Sequence, residues 1–430
     1  MKSSPLKYLF YILLLHIPFV GTMSQQKEFC DTTELAVLFN QKTNGIAEIK
    51  LGKKVQITGM AFSPDDKLLA TGGYKEVCLW NLESPGLQKR FTSPLIEGHV
   101  KDIEFIDQET LVIGCGLPGV SGQVHIIDLK RNEIIMSFSP SKDVISKVAV
   151  SPIKNIISAA DANGNVFLFN TLENKLLCQA EKLNSEITGL AFTKDSSKIS
   201  YCSFDGQMMV WDYKKQSSYH YSTYQREMIG FQNIKKDKSA VIVINNEQKR
   251  TIQAISINNN TGDIKRIKKN KTQNKTISLG VKKPTTLVSF NKGIYHAVGC
   301  SDGTVMFYSA GNTVMKLEVH GHNDWISSMQ LSHNEAMMAS ADAKGIIKIW
   351  SFTNKKPLLS LIQIANGSDE WIALSSRGYY NGSSAELLQW KDKDNIPPYM
   401  QNKLFNPVKL NELFNISQLK APQSKNKSKR

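Results

Sequence analysis

A chain of 430 residues is longer than one compact core usually holds, which leaves two or three domains or a single large repeat array. With 41% hydrophobic and 21% charged residues, and aromatics along its whole length, it can bury a large core; a disordered polymer, collagen, mucin and coiled coil are excluded. The net charge of +15 would suit an anionic partner only if it were clustered on a folded face, but residues 264–275 hold six Lys and Arg with no acid and residues 420–430 hold five, so most of the excess sits in a loop and a tail.

At the amino terminus Lys2 and Lys7 precede an apolar run from Tyr8 to Gly21, interrupted only by His16 and followed by small and then polar residues. That order is the pattern of a secretory signal peptide, and the run is shorter than the roughly 20 residues a membrane span needs. Residues 1–24 are therefore expected to be a signal cleaved after Ser24, making the protein exported, periplasmic or secreted. The alternative is an uncleaved anchor at the outer face, the sole membrane contact this reading allows. Lys27, Glu28 and Phe29 before Cys30 exclude a lipid-modified cysteine. Residues 25–51 carry two strand-like runs, ELAVLFN and IAEIKL, expected to close a ring or to build a partial eighth blade together with the strand around Trp371.

From residue 52 a unit recurs: an apolar run, a second run of small residues, a Gly turn, and a third run ending in an aromatic. Its anchors are Phe62, Phe105, Val150, Phe192, Phe290 and Leu331, at spacings of 43, 45, 42, 98 and 41, and Phe231 supplies a copy inside the long interval. Between units lie candidate fourth strands: LQKRF, EIIMSF, KLLCQA, SSYHYS, IKRI, VMKLEV and PLLSLI. Short strands of β-branched and aromatic residues at this period predict propeller blades, whereas helical solenoids need amphipathic helices that are absent here. The fold class is all-β, a seven-bladed propeller of four-stranded antiparallel blades over residues 52–364. Cys78, Cys115, Cys202 and Cys300 fall inside apolar strand runs and read as core; Cys30 and Cys178 are not assigned.

The chain resembles the WD40 repeat family through Gly98-His99, the stretch from Gly321-His322 to Asp324-Trp325-Ile326, Trp80-Asn81, Trp211-Asp212, Trp350-Ser351 and Ser63-Pro64-Asp65. The resemblance implies that a His, a Ser or Thr, a turn Asp and the terminal Trp pin each blade. His99, His322, Asp205, Trp80, Trp211 and Trp350 occupy such structural positions, but no blade is expected to hold the full set: the fourth lacks a Gly-His, and in the last Lys344 stands at the turn position. Residues 365–418 form a C-terminal segment. Within it Trp371, Gly378, Tyr379, Tyr380 and Trp390 are similar to a cap found in WD40 proteins joined to caspase-like peptidases, and Asn406-Pro407 opens a short amphipathic helix. Residues 419–430 read as a basic, disordered tail.

A peptidase domain is not expected within these 430 residues, since Cys300 is the last cysteine and falls in a strand-like run. His320 and His322 form the only close His pair, better explained by a Gly-His turn than by zinc, and no P-loop, dinucleotide fingerprint or nucleophile elbow occurs. Asp161, Asp205, Asp302 and Asp342 read as turn residues. The expectation is a non-enzymatic scaffold that binds other proteins and carries no cofactor. Trp325 is the candidate contact residue, with packing against the next blade as its alternative role, and Lys265, Arg266, Lys268 and Lys269 are candidates for a partner contact. The Lys-rich loop lacks interleaved aromatics, so nucleic acid is not the expected partner. Rival readings are an exported propeller enzyme, quinoprotein-like or metal-dependent, and a binder of anionic surfaces through the basic loop and tail. A faint likeness to quinoprotein repeats lacks the adjacent cysteine pair those enzymes carry.

Overall fold

The computed structural model describes residues 56–193, 195–223, 283–290, 295–309, 312–352, 356–376, 379–383 and 405–419, with strand backbone alone at 47–49, 221–223, 228–233, 239–246, 251–258, 276–278, 289, 308–309, 312–317, 356 and 388–390. The proposed signal, the run from Glu34 to Asn40, the Lys-rich loop with Lys265, Arg266, Lys268 and Lys269, and the tail from residue 420 lie outside the described residues.

In the seven larger sheets among the described residues every strand pairs antiparallel with its neighbours in sequence, so each of these sheets is an up-and-down meander. In chain order the sheets begin with inner strands Gly59–Phe62, Asp102–Phe105, Ile145–Val150, Ile187–Phe192, Met228–Asn233, Pro284–Phe290 and Ile326–Leu331; they are numbered one to seven here. Sheets one to six have four strands each. The expectation of seven four-stranded blades is corrected: six sheets have that form, and the last repeat continues through Lys356–Gln363 into Trp371–Ser375 and Tyr380–Gly382 as a six-stranded sheet. The inner strand of sheet seven lies beside those of sheets six and one.

Local chemistry explains the meander. The second-to-third-strand turns of sheets three, four, six and seven end at Gly164, Gly206, Gly303 and Gly345, all at φ between +79° and +93°, where a side chain would be strained. At the far end of the third strand, Asn81, Asp128, Asn170 and Asp212 turn their side-chain oxygens onto the backbone N–H groups that follow, for instance Asn81 Oδ1 on Glu83 and Ser84 at 2.8 and 2.9 Å. This is the physical content of the Trp-Asn and Trp-Asp dipeptides: the aromatic packs between sheets and the next residue caps the turn.

The inner strands of successive sheets are tied by hydroxyls. Thr58 Oγ1 donates to Val100 O at 2.5 Å, Ser146 Oγ to Ile187 O at 2.9 Å, and Thr285 Oγ1 to Ile326 O at 2.6 Å. Ser327 Oγ donates to Ile57 O at 2.8 Å, which joins sheet seven to sheet one. Ser146, Thr285 and Ser327 each sit at a register shift of the inner strand, where the bulge frees a side chain to reach the neighbouring sheet.

The seam between sheets seven and one has further ties. Asp66 accepts from the backbone N–H groups of His333 and Asn334 at 2.6 and 2.8 Å, and its Oδ1 lies 3.1 Å from His333 Nδ1. Buried Glu76 accepts from Gly367 N–H and Gln363 Nε2 and lies 3.5 Å from the Arg90 guanidinium, which also binds Asp369 at 2.6 Å. Burial pushes the Glu76 carboxyl above its usual range against the pull of these partners. An apolar cluster fills the same seam: Phe62, Leu69, Trp80 and Leu82 of sheet one meet Met337, Ile347, Ile349 and Leu359 of sheet seven. The helix Pro407–Leu413, capped by Asn406 with proline at its first turn as the sequence suggests, adds Leu410 and Phe414 to it.

Three expectations are corrected. The strand around Trp371 pairs with Lys356–Gln363 and Tyr380–Gly382, while Ala47–Ile49 pairs with Leu388–Trp390 in a separate two-stranded sheet, so the two do not meet. The fourth strand of sheet five is Thr276–Ser278, which leaves the IKRI run outside it. Asp342, not Lys344, is the acidic member of the last blade's pinning set, as described below. Cys78, Cys115, Cys202 and Cys300 are buried, and burial pushes the Cys115 and Cys202 thiols up to about 12.

Candidate functional site

On the face formed by the second-to-third-strand turns and by the loops between sheets, the loop leading into sheet seven is held by one fully connected buried network. His322 Nδ1 lies 3.0 Å from Asp342 Oδ2, His322 Nε2 lies 2.7 Å from Ser340 Oγ, and Trp350 Nε1 donates to Ser340 Oγ at 2.7 Å. Only one proton assignment satisfies all three bonds with a neutral ring. The indole N–H donates to Ser340, the Ser340 hydroxyl donates to Nε2, and Nδ1–H donates to the carboxylate. Burial holds the His322 pKa below the usual value despite the Asp342 charge, which favours this neutral form. Asp342 Oδ1 also accepts from the N–H groups of Lys344 and Ile346, so one carboxylate fixes both the histidine and its own turn. Gly321 is required by close approach: a Cβ there would stand 2.3 Å from Trp350 Cη2.

The other sequence-selected positions differ. Trp80 donates to Thr71 Oγ1 at 3.0 Å, a hydroxyl–indole pair like that of sheet seven, whereas His99 packs edge-on against Tyr74 with its Nδ1 buried and unpartnered. Trp211 is buried against Tyr213. Asp205 stays in its own turn, accepting from Ser203 Oγ at 2.5 Å and from Gln207. Trp80, Trp211 and Trp350 are therefore core, and among the six positions only His322 and Trp350 share one network.

On this pinned loop the Trp325 side chain is 43% exposed. Its backbone is fixed on both sides, since its N–H donates to Asp324 Oδ1 at 2.8 Å and its carbonyl accepts from Ala343 N–H at 3.0 Å. Tyr74, Leu95, Val120 and Phe204 are also exposed, each in a turn or loop on this same face. Trp325 stands at the mouth of a central cavity of about 550 Å³ lined by the inner strands. Its wall mixes Lys101, Asp102, Lys147 and Glu186 with hydroxyls. Lys147 lies 3.7 Å from Asp102, and Asp102 and Glu104 accept from the Val148 and Val150 N–H groups at 3.0 and 2.8 Å, so these carboxylates are engaged in holding sheets two and three together. Among the described residues no group of three or more His, Cys, Asp or Glu is placed to hold a metal ion.

The sheets and the pinning network define a β-propeller of four-stranded antiparallel blades. Residues 49–81, 178–212 and 312–351 match the family model described as WD domain, G-beta repeat, so these three segments of the chain are WD40 repeats. It is 26% identical over 166 residues to the Periodic tryptophan protein 2 homolog of Dictyostelium discoideum, a match covering 37% of this chain and 18% of that protein. It is 21% identical over 155 residues to WD repeat-containing protein 55 of Mus musculus, covering 36% of this chain and 39% of the relative. The chain thus spans well under half the length of these relatives.

The inner-strand hydroxyls and the role of Asp342 escape the sequence reading. The signal for the former is present, since Thr58, Ser146, Thr285 and Ser327 each fall just before an inner-strand anchor, but a small polar residue next to an apolar run looks like ordinary strand alternation.

Proposed function

We propose that the chain is a non-catalytic scaffold whose six-stranded last sheet serves as the seventh blade of a closed ring, and that it binds other proteins through the face bearing Trp325. The observation that carries this reading is an exposed indole whose backbone is held by Asp324 and Ala343, on a loop whose neighbouring His322 is fixed in a buried, fully satisfied network. Such an anchor contributes contact area while losing little conformational freedom on binding, which is the property of interface hot spots. Tyr74, Leu95, Val120 and Phe204 extend the apolar contact around the same face. WD40 propellers in general bind proteins, which supports the class of partner but names none.

The test is quantitative affinity purification from the source cells, with wild type compared against Trp325→Ala. Partners recovered in stoichiometric yield by wild type and reduced several-fold by the variant support the scaffold; equal recovery by both removes Trp325 from the contact. Export through residues 1–24 is part of the proposal and rests on the sequence pattern alone. Fractionation with intact mass of the recovered chain tests it: a mature chain beginning near Gln25 outside the cytoplasm is expected, and a full-length cytoplasmic chain contradicts it.

A further inference from the structure

The ends of the sheets away from Trp325 carry the turns between first and second strands and between third and fourth strands. Among the described turns there, only two expose large apolar side chains, and both belong to sheet three: Ile153, in residues 151–155, is 57% exposed, and Leu172, in residues 171–174, is 79% exposed. The two turns are fastened to each other. Thr171 donates its N–H and its hydroxyl to Asn155 O at 3.0 and 3.1 Å. Each is also closed on itself, since Lys154 N–H donates to Ser151 O at 2.7 Å and Asn170 Oδ1 accepts from the Leu172 and Glu173 N–H groups at 2.8 and 3.2 Å. The isoleucine and leucine therefore project from turns whose shape is fixed. Leu176, where the chain enters the outer strand Lys175–Gln179, continues this apolar corner and is exposed too.

Lysines surround the corner. Lys154 and Lys175 flank the two apolar tips in sequence, and Lys214 and Lys215 stand in the third-to-fourth-strand turn of sheet four. That turn lies against the corner, because its Gln216 meets the Cys178 thiol on the outer strand of sheet three. The acids nearby are engaged. Glu173 pairs with Lys175, and Asp212 accepts from the Lys215 N–H at 3.1 Å with its other oxygen 4.0 Å from the Lys215 ammonium. Lys154 and Lys214 are exposed and make no ion pair among the described residues.

Projecting aliphatic tips among lysines match the chemistry of a bilayer better than that of a protein partner. Protein hot spots are built on Trp, Tyr and Arg seated in pockets, with Lys depleted, and these two turns hold neither an aromatic nor an arginine. At a surface of anionic lipids the aliphatic tips enter the boundary between headgroups and acyl chains, while the lysine stems lie beside them and carry their ammonium groups to the phosphates. We propose that this corner of sheet three, built from Ile153, Leu172 and the lysines around them, docks the protein on an anionic lipid surface. The corner lies at the opposite ends of the strands from Trp325, so docking leaves the face bearing Trp325 open, and it does not depend on what that face binds.

The test floats the chain recovered from its source cells, wild type or variant, with vesicles of phosphatidylcholine alone or containing about a third phosphatidylserine. Wild type is expected to partition onto the anionic vesicles, roughly tenfold or more weakly in Ile153→Ser/Leu172→Ser and several-fold more weakly in Lys154→Glu/Lys214→Glu. All four side chains are exposed, so the variants keep their fold, checked by circular dichroism. Hydrogen exchange read by mass spectrometry locates the contact independently: amides of residues 151–155 and 171–177 should slow when anionic vesicles are added, and those of residues 117–121 at the other end of the strands should not. Equal partition of wild type and the Ile153/Leu172 variant, equal partition onto neutral and anionic vesicles, or no slowing at the two turns overturns the proposal. A wild-type dimer in sedimentation that becomes monomeric in the Ile153/Leu172 variant also overturns it, assigning the corner to a second copy of the chain.

Discussion

Replacing Ser340 by alanine removes the central member of the network beneath Trp325. The substitution strands two buried groups at once, the Trp350 indole N–H and His322 Nε2, each bonded at 2.7 Å to the serine oxygen. A hydrogen bond contributes about 1 kcal/mol net, and a buried polar group left without a partner costs about 1–3 kcal/mol. Both bonds converge on one atom, so Ser340→Ala is expected to cost about 2–4 kcal/mol. Urea unfolding at pH 7.5, followed by tryptophan fluorescence, reads this as a midpoint lowered by about 1 M for a slope of about 3 kcal/mol/M. Ser340→Thr keeps the hydroxyl, as Thr71 does beneath Trp80, and should lose much less. A midpoint unchanged by Ser340→Ala, or moved equally by Ala and Thr, would show that packing alone holds Trp350 and His322, and the proton assignment would fall.

Two further outcomes follow from burial. Burial pushes the His296 pKa down to about 4 from the ordinary histidine value, so the folded state binds its proton more weakly than the unfolded state does. The resulting stability is fully present above about pH 6.5 and is lost as pH falls toward 4, amounting to about 2 kcal/mol between pH 7.5 and 5, and His296→Gln should flatten that part of a pH series of urea midpoints. Leu410→Ala empties a buried position in the helix that covers the seam and should cost about 2–5 kcal/mol by the same assay, whereas exposed Val408→Ala on the same helix should move the midpoint little; equal effects would mean the helix is not packed on the sheets.

The repeat was legible because its signals are local. In five of the seven sheets the third strand ends in an aromatic followed by a polar residue, and Trp80, Trp211 and Trp350 are buried as that pattern demands. The strand-borne cysteines are core for the same reason. What escaped the sequence depends on reach between sheets. Asp342 was read as a turn residue, which it is, but the carboxylate also turns back to His322, 20 positions away, and nothing in the local pattern marks that second bond. The closure at the seam was equally hidden. Asp66 reaches a turn of the last repeat 267 residues later, and Glu76 meets a loop 291 residues later, just past that repeat, and the repeat pattern marks neither bond. In the fifth unit the third strand is followed by a Lys-rich insertion, so IKRI has strand composition while the fourth strand described is Thr276–Ser278. Trp371 lies in a strand-like run as read, yet its partner is set by the free edge of sheet seven.

The proposed binding face bearing Trp325 depends on a ring that is closed and rigid at the seam between sheets seven and one. The amides of His333 and Asn334 report on this most directly, because they donate to the Asp66 carboxylate across the seam and not to a partner strand. Their hydrogen-exchange rates in the full chain, resolved by nuclear magnetic resonance or by fragmentation mass spectrometry, should be slowed at least tenfold relative to unprotected turn amides and should speed up in Asp66→Ala. Exchange at the unprotected rate in the wild-type chain, with no change in the variant, would show the seam open and contradict a closed propeller.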